Sequence, residues 1–126
     1  MRGRTGRMWW GLALETPDPE TLARFYSVLL DWPVVHREPG QAVLQPPQPG
    51  VFVVDQQSDG YTPPVWPPAP GEQRPMAHLD VQVEDLDAAV TDAVALGARL
   101  ADHQPPAVRV LFDPVGHPFC LCRDDG

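Results

Sequence analysis

Cysteine is scarce in this chain, cations are outnumbered, and no apolar run is long. Each shortage closes off a class of protein. Only Cys120 and Cys122 are present, and side chains two apart on a strand stand about 7 Å from one another, too far for an unstrained disulfide. A disulfide-stapled scaffold is therefore excluded, and reduced thiols in a cytoplasmic protein are the expectation. No stretch approaches the roughly 20 apolar residues that a membrane-spanning helix needs. No apolar segment follows Arg2, Arg4 and Arg7 as it would in a secretory leader. Nine basic side chains face 17 acidic ones, giving a net charge of -8. That balance argues against nucleic acid and anionic membrane as partners.

What is present points to a folded domain. The 126 residues are 43% hydrophobic, enough for one domain with its own core. Residues 1–8, with three arginines and two glycines, read as a flexible tail. Residues 9–126 read as a single domain, with module one at 9–56, a proline-rich connector at 57–75 and module two at 76–122.

The organising stretch runs from Ala77 to Ala89. Leu79, Val81 and Val83 alternate with His78, Asp80 and Gln82, the period-2 signature of a strand with one apolar and one polar face. Asp85 stands where a helix N-cap belongs, and Asp87 falls in the first turn, which favours negative charge. A helix is expected from Asp85 to Leu96, with Gly97 closing it. Earlier in the chain, Trp9 to Glu15 predicts a strand. Asp18 then caps a helix that has Pro19 at its first position and ends at Pro33. Strands are expected at 34–36, 42–44, 51–54, 99–101, 108–112 and 119–122, separated by proline- and glycine-rich turns. Between the halves, Pro63, Pro64, Pro67, Pro68, Pro70 and Pro75 predict an extended, stiff connection that packs against the body through Tyr61 and Trp66.

Both halves read strand-helix-strand-strand-strand. The caps Asp18 and Asp85 lie 67 positions apart, and the same offset places Gly11 on His78, Leu12 on Leu79 and Phe52 on Phe119. An internal duplication follows.

Two such βαβββ units resemble the vicinal oxygen chelate superfamily of glyoxalase, bleomycin-resistance and extradiol-dioxygenase domains. The helix Thr16 to Trp32, with Phe25 and Tyr26, looks like that family's first helix. His78 to Ala89 looks like the opening of its second module, and Asp113 to Cys122 is similar to its closing turn and strand. The resemblance implies an α+β fold. In it, two βαβββ modules form a curved, partly open mixed sheet around a cavity, with the helices on its outer face. It also implies a homodimer.

Metal-using members of that family place His, Glu, His and Glu on the first, fourth, fifth and eighth strands. Here those positions fall on Gly11, on Val53 (or Asp55 with a shift of two), on His78 and on Cys120. One clear ligand and two arguable ones fall short of the three or four that a divalent centre takes from protein. The expectation is therefore no metal and no cofactor, with a zinc site of His78, Cys120 and Asp55 as the alternative.

Strand parity predicts the cavity lining. If Leu12, Leu14, Phe52, Val54, Leu79, Val81, Phe119 and Leu121 meet the helices, the alternates face inward: Trp9, Gly11, Ala13, Glu15, Val51, Val53, Asp55, His78, Asp80, Gln82, Cys120 and Cys122. This mixture suits a small organic molecule. The candidate ligand-binding residues are His78, Asp80, Cys120, Glu15, Asp55, Tyr61 and Trp66. Tyr61 and Trp66 either lid the cavity or pack outside the sheet or across a dimer interface. The first reading is a binding protein that has lost the usual metal ligands, with no catalytic residue assigned. Two alternatives stand beside it: a metal-dependent lyase, isomerase or dioxygenase with a rearranged site, and an interaction module with a filled cavity.

Overall fold

The computed structural model describes residues 1–123, so the last three residues of the expected domain lie outside the described ones. The chain divides into two compact units, residues 1–61 and 62 onward. The division falls inside the expected connector.

In the first unit, alternation of Leu12 and Leu14 marks β1 (Trp10–Thr16) and short apolar runs mark β2 (Val34–Glu38), β3 (Gln41–Leu44) and β4 (Val51–Gln57), with α1 (Pro19–Leu30) between β1 and β2. The sheet runs in the order β1-β4-β3-β2, with β1 and β4 parallel and the remaining pairs antiparallel. α1 begins as expected: the Asp18 carboxylate accepts the Thr21 N–H at 3.3 Å and also the Thr21 hydroxyl. Those bonds hold the Asp18 carboxyl below its ordinary range. Leu22, Ala23, Phe25 and Tyr26 are buried on its inner face.

The helix stops before Pro33, at Leu30. Asp31 turns left-handed at φ 56°, and the Trp32 N–H returns to the Ser27 carbonyl at 3.1 Å. The Ser27 hydroxyl donates to the Trp32 carbonyl at 2.6 Å. The cap has already satisfied the last carbonyls, so the proline only follows it.

The second unit repeats the plan with β5 (Leu79–Val83), α2 (Leu86–Ala95), β6 (Arg99–Leu100), β7 (Val108–Phe112) and β8 (Pro118–Arg123). Its sheet order, β5-β8-β7-β6, matches the first, again with one parallel pair. Asp85 caps α2 by accepting the Ala88 N–H at 3.0 Å, and Gly97 closes it at φ 117°. Leu111, Phe119 and Leu121 form the buried side of this sheet. No described helix is long and apolar enough to cross a membrane.

The repeat slips by one residue in its last strand. Leu12 pairs with Val53, whereas Leu79, its equivalent, pairs with Phe119, an offset of 66 rather than 67. A one-residue shift exchanges the two faces of a strand. Val53 and Asp55 therefore lie on the side of Leu12 and Leu14, while Phe52 and Val54 share the side of Gly11. This corrects the expected facing of all four. In β8 the expected facing holds: Phe119 and Leu121 are buried, and Cys120 and Cys122 point to the other side.

The proline segment also differs from expectation. The Val65 N–H donates to the Gln73 carbonyl at 2.7 Å, and the Gln73 side chain donates to the Thr62 carbonyl at 2.9 Å. These bonds fold residues 62–73 into a closed loop rather than an extended strut. Proline removes backbone donors, and Gln73 supplies the missing partners.

Candidate functional site

Two neighbouring strands bring together three side chains with metal- and proton-binding chemistry. β5 and β8 run parallel, and Asp80 stands in register with Cys120, so both side chains leave the same side of the sheet. His78, two residues before Asp80, joins them from just ahead of β5. Its Nε2 lies 3.3 Å from Asp80 Oδ1, with the two side chains 51% and 63% exposed. One nitrogen, one oxygen and one sulfur thus gather with every pair within 4.8 Å. Sequence parity anticipated this trio.

Cys120 sits half-buried beneath the two exposed groups. Burial pushes its thiol up to about 11, and the Asp80 carboxylate adds to the shift through its charge and by accepting the S–H. At neutral pH the sulfur is therefore a protonated thiol and a poor nucleophile. The Asp80→Asn substitution removes the neighbouring charge. In a Cys122→Ser background it should speed iodoacetamide alkylation of Cys120 about severalfold at pH 8. An unchanged rate, read by mass spectrometry, would assign the whole shift to burial.

Beside this trio lies an aromatic wall. Val110 pairs with Cys120 across β7 and β8 and is buried with Ala101 and Phe112; Trp66, Val108 and Cys120 pack against this cluster. Trp66 thus lies on the Cys120 side of the sheet. The His103 ring stands 5.5 Å from the Trp66 ring, tilted by 51°. Sequence reasoning placed Trp66 against the body but gave His103 no role. The long loop hid the neighbour, because only its return brings His103 to Trp66.

The other expected site residues are placed differently. Asp55 is fully buried on the Leu14 side of its sheet, away from the face that carries Gly11, which corrects its expected role. The cause is the one-residue slip. Glu15 is exposed near the end of β1, and Tyr61 is half-buried at the end of the first unit. Gly11 is packed as a glycine: an added Cβ would stand 3.1 Å from the Phe52 carbonyl oxygen and 3.2 Å from Val54 Cγ2. Arg109 shares the Leu121 side and borders a separate cleft of about 580 Å³ at the start of α2, lined also by Arg123, Glu84 and Asp87.

The profile of the glyoxalase-like domain matches residues 11–122. No curated protein matches the sequence. Solved structures with a similar fold include a glyoxalase-related enzyme from Fulvimarina pelagi, at 20% identity over 94% of this chain and 88% of that one, with a TM-score of 0.67. A glyoxalase/bleomycin resistance protein/dioxygenase family enzyme from Burkholderia phytofirmans shares 16% identity over 89% and 94%, with a TM-score of 0.67. The fosfomycin resistance protein FosX from Listeria monocytogenes shares 13% over 98% and 92%, with a TM-score of 0.68. At such identities the likeness speaks for the fold, while the domain match spans nearly the whole chain. This chain belongs to the glyoxalase-like domain family of the vicinal oxygen chelate superfamily.

Proposed function

We propose that this chain binds a small organic molecule against the open side of its second sheet, through a site that has given up the four-ligand metal centre of metal-using relatives. The observation that carries the reading is Gly11. It occupies the repeat position of His78 without a side chain, and an added Cβ there would stand 3.1 Å from the Phe52 carbonyl oxygen and 3.2 Å from Val54 Cγ2. β4 brings Val54 to the Gly11 side and turns Asp55 away from it, so the first module supplies no replacement at these positions. What the second module offers is a polar rim, His78 with Asp80, beside an apolar floor of Val110, Cys120 and Trp66. An apolar wall with a few convergent polar groups is the usual form of a small-ligand site.

Several similar structures carry fosfomycin or bleomycin resistance in their names, so these two compounds head the test. Untagged protein in EDTA is titrated with each, and with a set of small polar metabolites, by thermal shift and tryptophan fluorescence. At least one compound should give a saturable shift that Trp66→Ala weakens by roughly three- to tenfold, the scale of one lost aromatic contact. No shift with any compound, or binding that vanishes on chelation, would overturn the reading. Self-association as a homodimer belongs to the same reading and is checked by sedimentation.

A further inference from the structure

We propose that His103, seated beside Trp66 by the side chain of Gln104, is a further ligand contact and sets the class of molecule the second sheet takes. That class is an elongated molecule with a flat apolar middle, a hydroxyl or amine at one end and a carboxylate at the other. The inference rests on the reading that the open side of this sheet holds an organic ligand, and it adds two residues to which that reading gives no part.

Hydrogen bonds fix where His103 stands. β6 ends at Leu100, yet its ladder to β7 continues by one bond, from the Ala101 N–H to the Val110 carbonyl at 3.0 Å. Gln104 then takes over from the backbone. Its amide nitrogen donates to the Ala101 and Val110 carbonyls at 2.7 and 2.8 Å, and its amide oxygen accepts the Val110 N–H at 2.9 Å. One side chain thus ties the turn of residues 101–104 onto β7. His103 lies inside that turn, with its ring 5.5 Å from the Trp66 ring. The histidine is exposed, so its neighbours hold it rather than burial.

The sheet supplies the length. Asp80 stands opposite Cys120, and Cys120 opposite Val110. Leu100 stands opposite Leu111, so Ala101 falls opposite Val110. Residues opposite one another across a ladder share a side. Asp80, Cys120, Val110 and Ala101 therefore form one rung across the sheet. Three interstrand steps of about 4.8 Å make it about 14 Å long. Its near end is polar, with His78 3.3 Å from Asp80. Its middle is the apolar floor against which Trp66 packs, and the Trp66–His103 pair closes the far end.

A molecule lying along this rung meets different chemistry at each end. The Asp80 carboxylate accepts hydrogen bonds and repels another carboxylate, so the near end suits a hydroxyl or amine. The His103 imidazole offers a ring N–H, which suits a carboxylate at the far end. Between them, the Trp66 ring suits a flat apolar body.

The test titrates the untagged chain in EDTA with two probes, followed by ligand-observed NMR. One is para-hydroxybiphenyl, and the other is the same compound with a carboxylate at its far para position. The carboxylate should tighten binding about tenfold, the scale of one hydrogen bond to a charged group. His103→Phe should abolish that gain and leave para-hydroxybiphenyl unaffected, because a ring still stands beside Trp66. Without any ligand, the Trp66 ring current should displace the His103 ring protons from the positions of a free histidine. Gln104→Ala should return them there while the circular dichroism is unchanged. If that variant misfolds, His103→Phe carries the test. No gain from the carboxylate, a gain that survives in His103→Phe, or His103 protons indifferent to Gln104→Ala would each overturn this inference and leave the organic-ligand reading standing. Binding of another compound but of neither biphenyl would do the same. Binding of no compound at all would overturn the reading beneath it.

Discussion

Replacing Phe119 by alanine should lower the stability of the folded chain by about 4 kcal/mol, the middle of the range for a buried aromatic. Phe119 is fully buried in β8, where it pairs with Leu79 on one side and Leu111 on the other. Its ring shares the buried side with Leu111 and Leu121, which are themselves closed to solvent. Three backbones fix the walls of the vacated space, so the site cannot collapse cheaply and the cavity term adds to the lost transfer energy. β8 also carries Cys120, so the substitution should loosen the trio as well as the core. Urea unfolding followed by circular dichroism measures the loss, and a change below about 1 kcal/mol would show that the neighbours refill the space.

The second large effect belongs to Gly116. It holds φ at 99°, a conformation that costs a residue with a side chain about 1–3 kcal/mol. An added Cβ would also stand 2.7 Å from Pro63 Cβ, closer than packed carbons come. The turn has little freedom to yield. Asp113 Oδ1 accepts the Val115 and His117 N–H groups at 3.0 Å each, and the Gly116 N–H returns to the Asp113 carbonyl at 3.0 Å. Pro63 must move instead, three residues ahead of Trp66. Gly116→Ala should therefore cost about 3 kcal/mol and shift Trp66 emission to longer wavelength as its loop lifts. Adding Pro63→Gly relieves the collision but not the backbone strain, so the double variant should recover only part of the loss. Full recovery, or none, would show that one of the two causes acts alone.

This dependence links a turn to the proposed binding surface. Trp66 owes its place to the closed loop of residues 62–73 and to the contact of Pro63 with Gly116. The proline-rich segment thus behaves as a seat for one aromatic ring rather than as a spacer.

Much of this architecture was legible in the sequence. The caps Asp18 and Asp85, Pro19 at a first helical position and Gly97 after α2 all act through atoms within a few residues of themselves. Alternation in 79–83 likewise needs only neighbouring residues to show its two faces. Asp31 was less legible, because its left-handed turn depends on bonds from Trp32 back to Ser27 that no single residue announces. His103 was not legible at all, since only the returning loop brings Trp66 to it.

The sequence by itself determined the two βαβββ modules, their caps and the apolar and polar faces of β1 and β5, because these follow from local spacing. Tertiary structure alone decided which strands pair and in which register. That register put Asp55 in the interior, on the side away from Gly11, and set Asp80 opposite Cys120. A slip of one residue in β4 leaves the local pattern intact yet reverses every side chain, and only the hydrogen bonds to β1 distinguish the two arrangements.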